Sequence, residues 1–352
     1  MKKVLKIFAT IISFIILLAM VFLGFLTFAE YRPKKLETLK PTGNALGKVK
    51  IGEEISFVIY NTGYASLGKI EDFVMDGGIK GRADNKEVVL GYLAGIKDFF
   101  EAEEHDFYLI QEVDYNSRRS YYTDQITAYA DLFENYNSTF ALNYKARFVP
   151  FPFSFTDYFG KVNSGIQTLS NYEIDKAYRH QLPGSFSWPI RTVNLKRALL
   201  VNYYEIENSD KQLVVVNVHL SAYDDGSMRA KEMQYLKEFL IAEKEKGNYI
   251  VVGGDFNQTP QIAQNLYPVG ERLWTPPIIA EDFLPEGFSF QIDLTIPTCR
   301  LLNKPYENSN HQHYIIDGFI VSDNITVNLI QTHDLGFVNS DHNPVSLKIV
   351  LT

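Results

Sequence analysis

Polar side chains that could bind a metal ion and activate water follow several predicted strands of this 352-residue chain. The residues at these strand ends are Asn61, Glu112, His219, Asp255, Asn257, Asp341 and His342. Ends of neighbouring strands lie close in space even when they are far apart in sequence, so we expect these side chains to meet at one edge of a sheet. Carboxylate and amide oxygens dominate the set, which favours a hard cation such as Mg²⁺, with Mn²⁺ as the alternative, over zinc.

Attack of water on a phosphate ester requires a cation, a base and donors to the phosphoryl oxygens. Glu112 and Asn61 offer metal ligands, and His342 is a candidate base because imidazole titrates near neutral pH. Asp317, on a further predicted strand, would fix the tautomer of His342. Two more residues are candidate donors to the phosphate or the leaving group: Asn257 and His219.

The stretch Tyr249–Pro260 contains the strand that organises this set. A short apolar run is followed by two glycines, which allow a close backbone approach, and then by Asp255 and Asn257. Taken alone, the stretch is explained equally well as an Asx turn that closes a strand. The case for a catalytic site therefore depends on the other strand ends.

Hydrophobic periodicity predicts the elements that hold these residues. Strands are expected at 54–61, 106–111, 164–172, 197–206, 213–220, 250–252, 313–322 and 344–351, and helices at 87–104, 119–135 and 228–246. Strands outnumber helices and do not alternate strictly with them, so a doubly wound parallel sheet is not indicated. The pattern suits two packed sheets with helices outside.

An apolar run of about 23 residues, Ile7–Ala29, is long enough to cross a bilayer as a helix. Lys2, Lys3 and Lys6 precede it and should stay cytoplasmic, so the rest of the chain would lie outside. We therefore predict a single-pass signal-anchor at 1–29, an extracytoplasmic tether at 30–53 and a catalytic domain at 54–352. Secretion after cleavage near Ala29 is the alternative.

The charge of the chain limits the range of partners. The net charge is −8, and because segment 1–29 holds three lysines and no acid, the remainder carries −11. A broad basic footprint for nucleic acid is therefore not expected, although a cation could still bridge acidic residues and a phosphate. The single cysteine, Cys299, excludes an internal disulfide and a cysteine-based zinc site, and we interpret it as inert.

Several other residues permit more than one interpretation. Phe148–Phe159 alternates aromatic residues with prolines and is either a loop packed on the core or an exposed apolar lip. Arg197 and Arg229 could face phosphate or form ordinary ion pairs. We interpret Arg118 and Arg119 as a solvated surface pair.

Six short motifs occur in an order that resembles the endonuclease/exonuclease/phosphatase superfamily. They are NTG, QEVD, NVHL, GGDFN, IIDGFIV and SDHNPV. Two further segments, SGIQTLSNYEI and KRALLV, resemble family segments, so the resemblance extends over about residues 54–352. It implies a four-layer α/β/β/α sandwich of two mixed sheets and Mg²⁺-dependent cleavage of a phosphoester.

The resemblance also assigns roles to single positions. Asn61 and Glu112 match metal-binding positions, and His219 matches the histidine on the phosphate side. Asp255 and Asn257 match the pair that orients water and phosphate. The last three matches are the catalytic histidine, its carboxylate partner and a metal-linked aspartate: His342, Asp317 and Asp341.

These observations predict a membrane-anchored phosphoesterase that acts outside the cytoplasmic membrane. Its substrate could be a phosphodiester or a phosphomonoester. A phospholipid or sphingomyelin head group suits the anchor and the aromatic lip, whereas DNA or RNA suits the family but not the negative charge. The remaining alternative is a tethered binding protein without turnover, which the complete set of catalytic residues disfavours.

Overall fold

The computed structural model describes residues 1–307 and 311–352 of the chain. The helices are α1 (Lys2–Phe28), α2 (Lys86–Ala102), α3 (Gln125–Ala130) and α4 (Ser227–Glu245). The strands are β1 (Leu36–Leu39), β2 (Thr42–Gly43), β3 (Glu54–Asn61), β4 (Phe107–Asp114), β5 (Asn137–Val149), β6 (Gly160–Ser170), β7 (Lys176–Gln181), β8 (Ala198–Glu205), β9 (Gln212–His219), β10 (Tyr249–Asp255), β11 (Thr259–Pro260), β12 (Ile278–Ile279), β13 (Phe288–Gln291), β14 (Cys299–Arg300), β15 (His313–Tyr314), β16 (Asp317–Ser322), β17 (Ile325–Thr332) and β18 (Val345–Leu351).

Two seven-stranded sheets form the body of the domain. The first sheet has the order β17-β18-β3-β4-β6-β5-β2, and the second has the order β1-β7-β8-β9-β10-β16-β13. Each sheet is mixed, because β3 and β4 are parallel in the first and β9 and β10 are parallel in the second, while the other neighbours are antiparallel. The parallel pair is central in both sheets. Because the two strands of each pair run in the same direction, their carboxyl ends lie next to each other at one edge of the sheet.

The sheets pack face to face, and a helix covers each outer face. The inner layer joins Phe57 and Leu109 of the first sheet to Val215, Val251 and Phe319 of the second. On the outside, α2 packs on the first sheet and α4 on the second. Their inward residues recur at helical spacing, as in Val89, Leu93, Ile96 and Phe100 of α2 and Met233, Leu236 and Leu240 of α4. The predicted α/β/β/α sandwich is thus confirmed.

The N-terminal helix α1 contacts the sandwich through its C-terminal part and is otherwise exposed. Its mean hydropathy is 2.8 and only 6% of its most apolar window is buried, so among the described residues it is the one helix long and apolar enough to span a membrane. Leu26, in its last turn, is the buried residue. The prediction of one apolar spanning helix before the sandwich is therefore confirmed at the level of length and composition.

Two expectations about local structure were wrong. The helix expected at residues 119–135 is only the six-residue α3, because Tyr121 and Tyr122 take positive φ angles that interrupt a helix. Asp124 then caps α3 by accepting a hydrogen bond from the Thr127 backbone N–H. Segment 30–53 was expected to be a tether, but β1 and β2 within it pair with β7 and β5 at the sheet edges.

Candidate active site

Three polar residues lie side by side on adjacent strands of the second sheet. Asp255, the last residue of β10, is directly opposite His219 on β9 and Asp317 on β16. Residues paired in register point to the same face of a sheet. The parallel β9 and β10 therefore end at one place with an imidazole and a carboxylate together, and Asp317 lies beside them.

Glu112 reaches the site because its strand is irregular. The register of β4 with β6 shifts between Ile110 and Val113, and Glu112 has a φ of 56°. Such a bulge re-aims one side chain. The Glu112 Oε2 atom is buried without a hydrogen-bond partner. Burial raises the pKa of Glu112, and the nearby Arg119 guanidinium opposes that rise.

Asp255 lies at the centre of the polar network. Its Oδ2 accepts a hydrogen bond of 3.0 Å from Asn61 Nδ2, and its Oδ1 accepts one of 2.7 Å from the Asn257 backbone N–H. The Asn257 amide also donates to Leu220 O at 2.9 Å and to Asp255 Oδ2 at 3.3 Å. Burial, followed by the charge of Asp317, raises the pKa of Asp255 to about 7.

His342 and Asp317 form a hydrogen-bonded pair. His342 Nδ1 lies 2.9 Å from Asp317 Oδ2, and its Nε2 lies 3.9 Å from Oδ2 of both Asp255 and Asp341. His342 lines the cavity and Asp317 does not. Burial alone would lower the pKa of His342, but Asp317, Cys299 and Asp341 together more than offset burial and hold that pKa well above its ordinary value.

The remaining members of the set complete one cluster. His219 Nε2 lies 3.4 Å from Asp255 Oδ2 and 3.8 Å from Glu112 Oε1. Burial, with a smaller effect of Arg197, lowers the pKa of His219 well below its ordinary value, so this imidazole is neutral near pH 7. Asp341 accepts a hydrogen bond from Ser340 Oγ at 3.3 Å. Burial raises the pKa of Asp341 to about 7.

The structure thus brings every residue of the predicted set to one place. A cavity of about 560 Å³ is lined by all of them except Asp317, which lies behind His342. The side chains of the predicted set lie together although they come from both sheets. The catalytic role of each residue stays a prediction. Asn61, at the end of β3, makes the link between the sheets through its hydrogen bond to Asp255.

One arginine of the site, Arg119, was not recognised from the sequence, whereas Arg197 was given two interpretations. Arg119 was expected on the surface, but it is buried, donates two hydrogen bonds to Asp114 at 2.9 and 3.0 Å, and lies over the Tyr64 ring. Arg197 lines the cavity, and its Nη1 is buried without a hydrogen-bond partner. Arg197 lies directly before β8, the strand that pairs with β9, and its interpretation as a phosphate contact stays a prediction.

Other single-residue interpretations had mixed outcomes. Arg229 forms an ion pair with Asp224, as one of its two interpretations proposed. Cys299 was interpreted as inert, yet it lies within the cluster formed with Asp341 and His342. Burial raises the pKa of the Cys299 thiol to about 12, so the group stays protonated and weakly nucleophilic.

The residues fit a divalent cation. Glu112 Oε2 lacks a partner within the protein although it is buried, and the pKa values of Asp255 and Asp341 are both raised to about 7. Buried carboxylates with raised pKa values are relieved when a cation neutralises them. The available donors are carboxylate and amide oxygens, which suit Mg²⁺ or Mn²⁺.

Comparisons with known proteins agree with this geometry. The sequence profile of the Endonuclease/Exonuclease/phosphatase family matches residues 84–342. No curated protein matches the sequence. Among solved structures, the endonuclease/exonuclease/phosphatase from Beutenbergia cavernae DSM 12333 is similar, with 15% identity, a TM-score of 0.56, and coverage of 85% of this chain and 72% of that one.

Two further structures share the fold. A family protein from Leptotrichia buccalis C-1013-b has 13% identity and a TM-score of 0.53, with 84% of this chain and 99% of that chain covered. Truncated Caenorhabditis elegans TDP2 has 13% identity and a TM-score of 0.50, with 85% and 98% covered. At these low sequence identities the similarity shows a shared fold.

Proposed function

The chain belongs to the endonuclease/exonuclease/phosphatase family, and we propose that it is a Mg²⁺-dependent phosphoesterase that works outside the cytoplasmic membrane. Family and fold make it a metal-dependent hydrolase of the phosphoesterase or nuclease type. One observation carries the proposal: the buried Glu112 oxygen that lacks a hydrogen-bond partner lies in the same cavity as His342, which is hydrogen-bonded to Asp317 behind it.

Glu112, Asn61 and Asp341 would hold the cation. The Asn61 amide is oriented for this because its Nδ2 donates to Asp255 and its Oδ1 accepts from the Gly63 N–H at 3.1 Å. A carbonyl oxygen with one hydrogen bond retains a lone pair for a metal. When bound, a divalent cation offsets the negative charge of the phosphoryl oxygens.

His342 is the proposed base that removes a proton from water. The hydrogen bond from Nδ1 to Asp317 leaves Nε2 as the nitrogen free to accept this proton, and Asp317 then stabilises the imidazolium. Asp255, 3.9 Å from Nε2, can orient the water. The Asp341 carboxylate contributes to the raised pKa of His342. A cation bound to Asp341 would offset this charge, lower the pKa of His342 and so make unprotonated Nε2 more available as the acceptor.

Three side chains are placed to hold the phosphate. Neutral His219 can donate a hydrogen bond to a phosphoryl or leaving oxygen. The Arg197 guanidinium lines the cavity without an internal hydrogen-bond partner at Nη1, so a phosphate oxygen can satisfy it. Asn257 could donate to phosphate by giving up its longer 3.3 Å bond to Asp255 while keeping the bond to Leu220.

The anchor sets the proposed location. Lys2, Lys3 and Lys6 precede the apolar span of α1 and would stay in the cytoplasm. The catalytic domain would then be extracytoplasmic, attached as a single-pass protein. Sequencing the N-terminus of the mature protein tests this, because cleavage near Ala29 would give a secreted enzyme instead.

A substrate panel tests the proposed chemistry. The full chain is assayed with bis(p-nitrophenyl) phosphate, p-nitrophenyl phosphate, sphingomyelin and a DNA oligonucleotide, with Mg²⁺ and with EDTA. We expect turnover of at least one ester that EDTA abolishes and Mg²⁺ restores. A folded protein that hydrolyses none of them, or that is indifferent to EDTA, would contradict the proposal.

A further inference from the structure

We propose that the substrate is a membrane lipid phosphoester whose apolar chain enters the cavity from the bilayer. This inference rests on the phosphoesterase function proposed above and names its substrate class. It follows from three features that lie at the same end of the domain: an apolar arm of the catalytic cavity, the attachment of the anchor, and a cluster of exposed aromatic and basic residues.

The catalytic cavity extends well beyond the polar cluster. Beyond the polar site, its wall is formed by apolar residues of two loops: Pro150, Phe151, Phe153 and Phe159 before β6, and Phe186, Ile190, Val193 and Leu195 before β8. The cavity volume of about 560 Å³ is in the range of sites that enclose a whole small-molecule ligand. A phosphate group alone fills only the polar end of the cavity. The apolar arm, the part walled by these two loops, therefore suits a hydrocarbon group on the same substrate.

The anchor joins the domain at the rim of this arm. Trp188 Nε1 donates a hydrogen bond of 3.0 Å to Thr27 Oγ1 in the last turn of α1, and the Phe22 ring lies 6.1 Å from Phe148. Glu30, directly after the helix, is bonded to Lys196 Nζ at 3.0 Å. Trp188 and Lys196 belong to the loop before β8, and Phe148 lies in β5 just before the other loop of the apolar wall. The membrane surface would therefore lie at the mouth of the cavity.

Large apolar side chains at this mouth face outward. Phe153 and Phe155 are 89% and 102% exposed, and Trp188 and Ile190 are about half exposed. Aromatic side chains are enriched at the level of the lipid head groups in membrane proteins. Exposing these large apolar side chains to water is unfavourable, and contact between the mouth of the cavity and the bilayer would explain why they are exposed.

A cluster of basic residues lies beside the anchor in a domain whose net charge is negative. Lys145, Arg147 and Lys161 line one shallow depression on β5 and β6. The Lys145 Nζ lies 5.7 Å from the ring of Tyr31, which closely follows α1. A local basic cluster next to the anchor attracts anionic head groups, whereas the net charge of the chain, −8, does not favour a polynucleotide.

A chain-length series of soluble substrates tests the apolar arm. The full chain, in detergent, is assayed with Mg²⁺ on p-nitrophenyl alkyl phosphates of increasing alkyl length and on a DNA oligonucleotide. We expect kcat/KM to rise about fourfold for each added CH₂ until the arm is filled. Equal kcat/KM across the series, or a preference for the oligonucleotide, would overturn the lipid proposal while leaving the phosphoesterase function intact. No turnover of any ester would overturn both.

A rim variant tests membrane entry. The double variant Phe153→Ser/Phe155→Ser is compared with Leu46→Ser in vesicles that contain anionic phospholipid. Leu46 is an apolar control residue that is 79% exposed. It lies next to Gly47, which bridges Tyr172 just past the end of β6. Because the rim loop precedes the other end of β6 and this strand spans roughly 35 Å, Leu46 is far from the rim. We expect the rim variant alone to lower the ratio of vesicle-lipid to short-ester turnover by about tenfold or more. An unchanged ratio would contradict entry at this mouth.

Discussion

At the scale of single residues, the site is a cluster of acids kept together by burial. Asp255 and Asp341 have pKa values raised to about 7, and Glu112 has a buried oxygen without a partner. Such groups are costly to bury as charges unless a cation joins them. The same crowding that lowers the stability of the free protein therefore prepares the site for a divalent ion.

Replacing Glu112 by Gln should weaken metal binding. Wild-type protein is expected to gain about 2.7 kcal/mol of unfolding free energy at Mg²⁺ concentrations one hundred times the Kd. In Glu112→Gln the midpoint of this Mg²⁺ dependence should move to higher concentration, because one carboxylate ligand is gone. Thermal unfolding across a Mg²⁺ titration measures it, with the exposed Glu87→Gln as control. An unchanged titration would remove Glu112 from the metal site.

Replacing His342 by Ala should remove the proposed base. We expect kcat to fall by roughly 10²–10⁴-fold, while circular dichroism shows a folded protein. His333→Ala is the matched control, since His333 is partly buried and bonded to Ser346 Oγ at 2.7 Å, outside the cavity. Near-normal turnover of His342→Ala would refute its role as base.

Arg197 offers a test of phosphate recognition. Its Nη1 has no hydrogen-bond partner, so Arg197→Met should cost little stability while it lowers kcat/KM by about 10–100-fold through loss of a charge-assisted bond. Steady-state kinetics and urea unfolding of the same variant measure the two effects. A large loss of stability with unchanged kcat/KM would assign Arg197 a structural role instead.

Much of the site was predictable from the sequence, since the strand-end motifs supply residues that the register of β9, β10 and β16 then places together. Arg119 was not, because its burial depends on the turn that follows β4, where positive φ angles fold the chain back so that Arg119 meets Asp114. Sequence periodicity carries no signal for such a turn. An arginine beside another arginine is, by default, a surface residue.

At the scale of elements, the packing of β18 against the turn before β4 makes stability depend on pH. His105 in this turn is buried, its Nε2 lies 3.1 Å from Ser346 Oγ, and burial lowers its pKa to about 4. The unfolded state takes up a proton near pH 6.5, whereas the folded state does so only near pH 4. The lowered pKa of His105 should therefore cost no stability above pH 6.5, and its cost should grow as the pH falls toward 4.

The His105 contribution should reach on the order of 3 kcal/mol at the acid end. Urea unfolding in EDTA between pH 4 and 7.5 measures it, and His105→Gln should show a shallower loss over this range because it cannot take up the proton. Parallel pH dependences for the wild type and the variant would contradict the assignment.

The long elements were predictable and the edges were not. Helices α2 and α4 follow from apolar residues at helical spacing, and the central strands follow from their apolar runs. The edge strands β1 and β2 are too short and too exposed to show a pattern. β1 forms because the chain leaving α1 runs along β7, and β2 forms by pairing with β5; local sequence does not encode either tertiary pairing.

At the scale of the whole molecule, chain topology brings the candidate active site and the end of the apolar helix α1 to the same end of the domain. The carboxyl ends of β9 and β10 carry His219 and Asp255, and β8, antiparallel to β9, begins at this same end beside Arg197. The loop before β8 also bonds Glu30 and Thr27. An anchored enzyme built this way would meet its substrate at the membrane surface. The sequence predicted the anchor and offered the aromatic lip as one interpretation, but not that helix α1 contacts the start of the aromatic segment.

Isotope labelling tests the central claim most directly. The full chain hydrolyses a phosphoester in H₂¹⁸O, with Mg²⁺ or with EDTA, and the phosphate-containing product is analysed by mass spectrometry. Attack of water on phosphorus predicts one ¹⁸O atom in that product for each ester bond cleaved, only when the divalent cation is present. Turnover that places ¹⁸O in the alcohol product, or that continues unchanged in EDTA, would contradict the account.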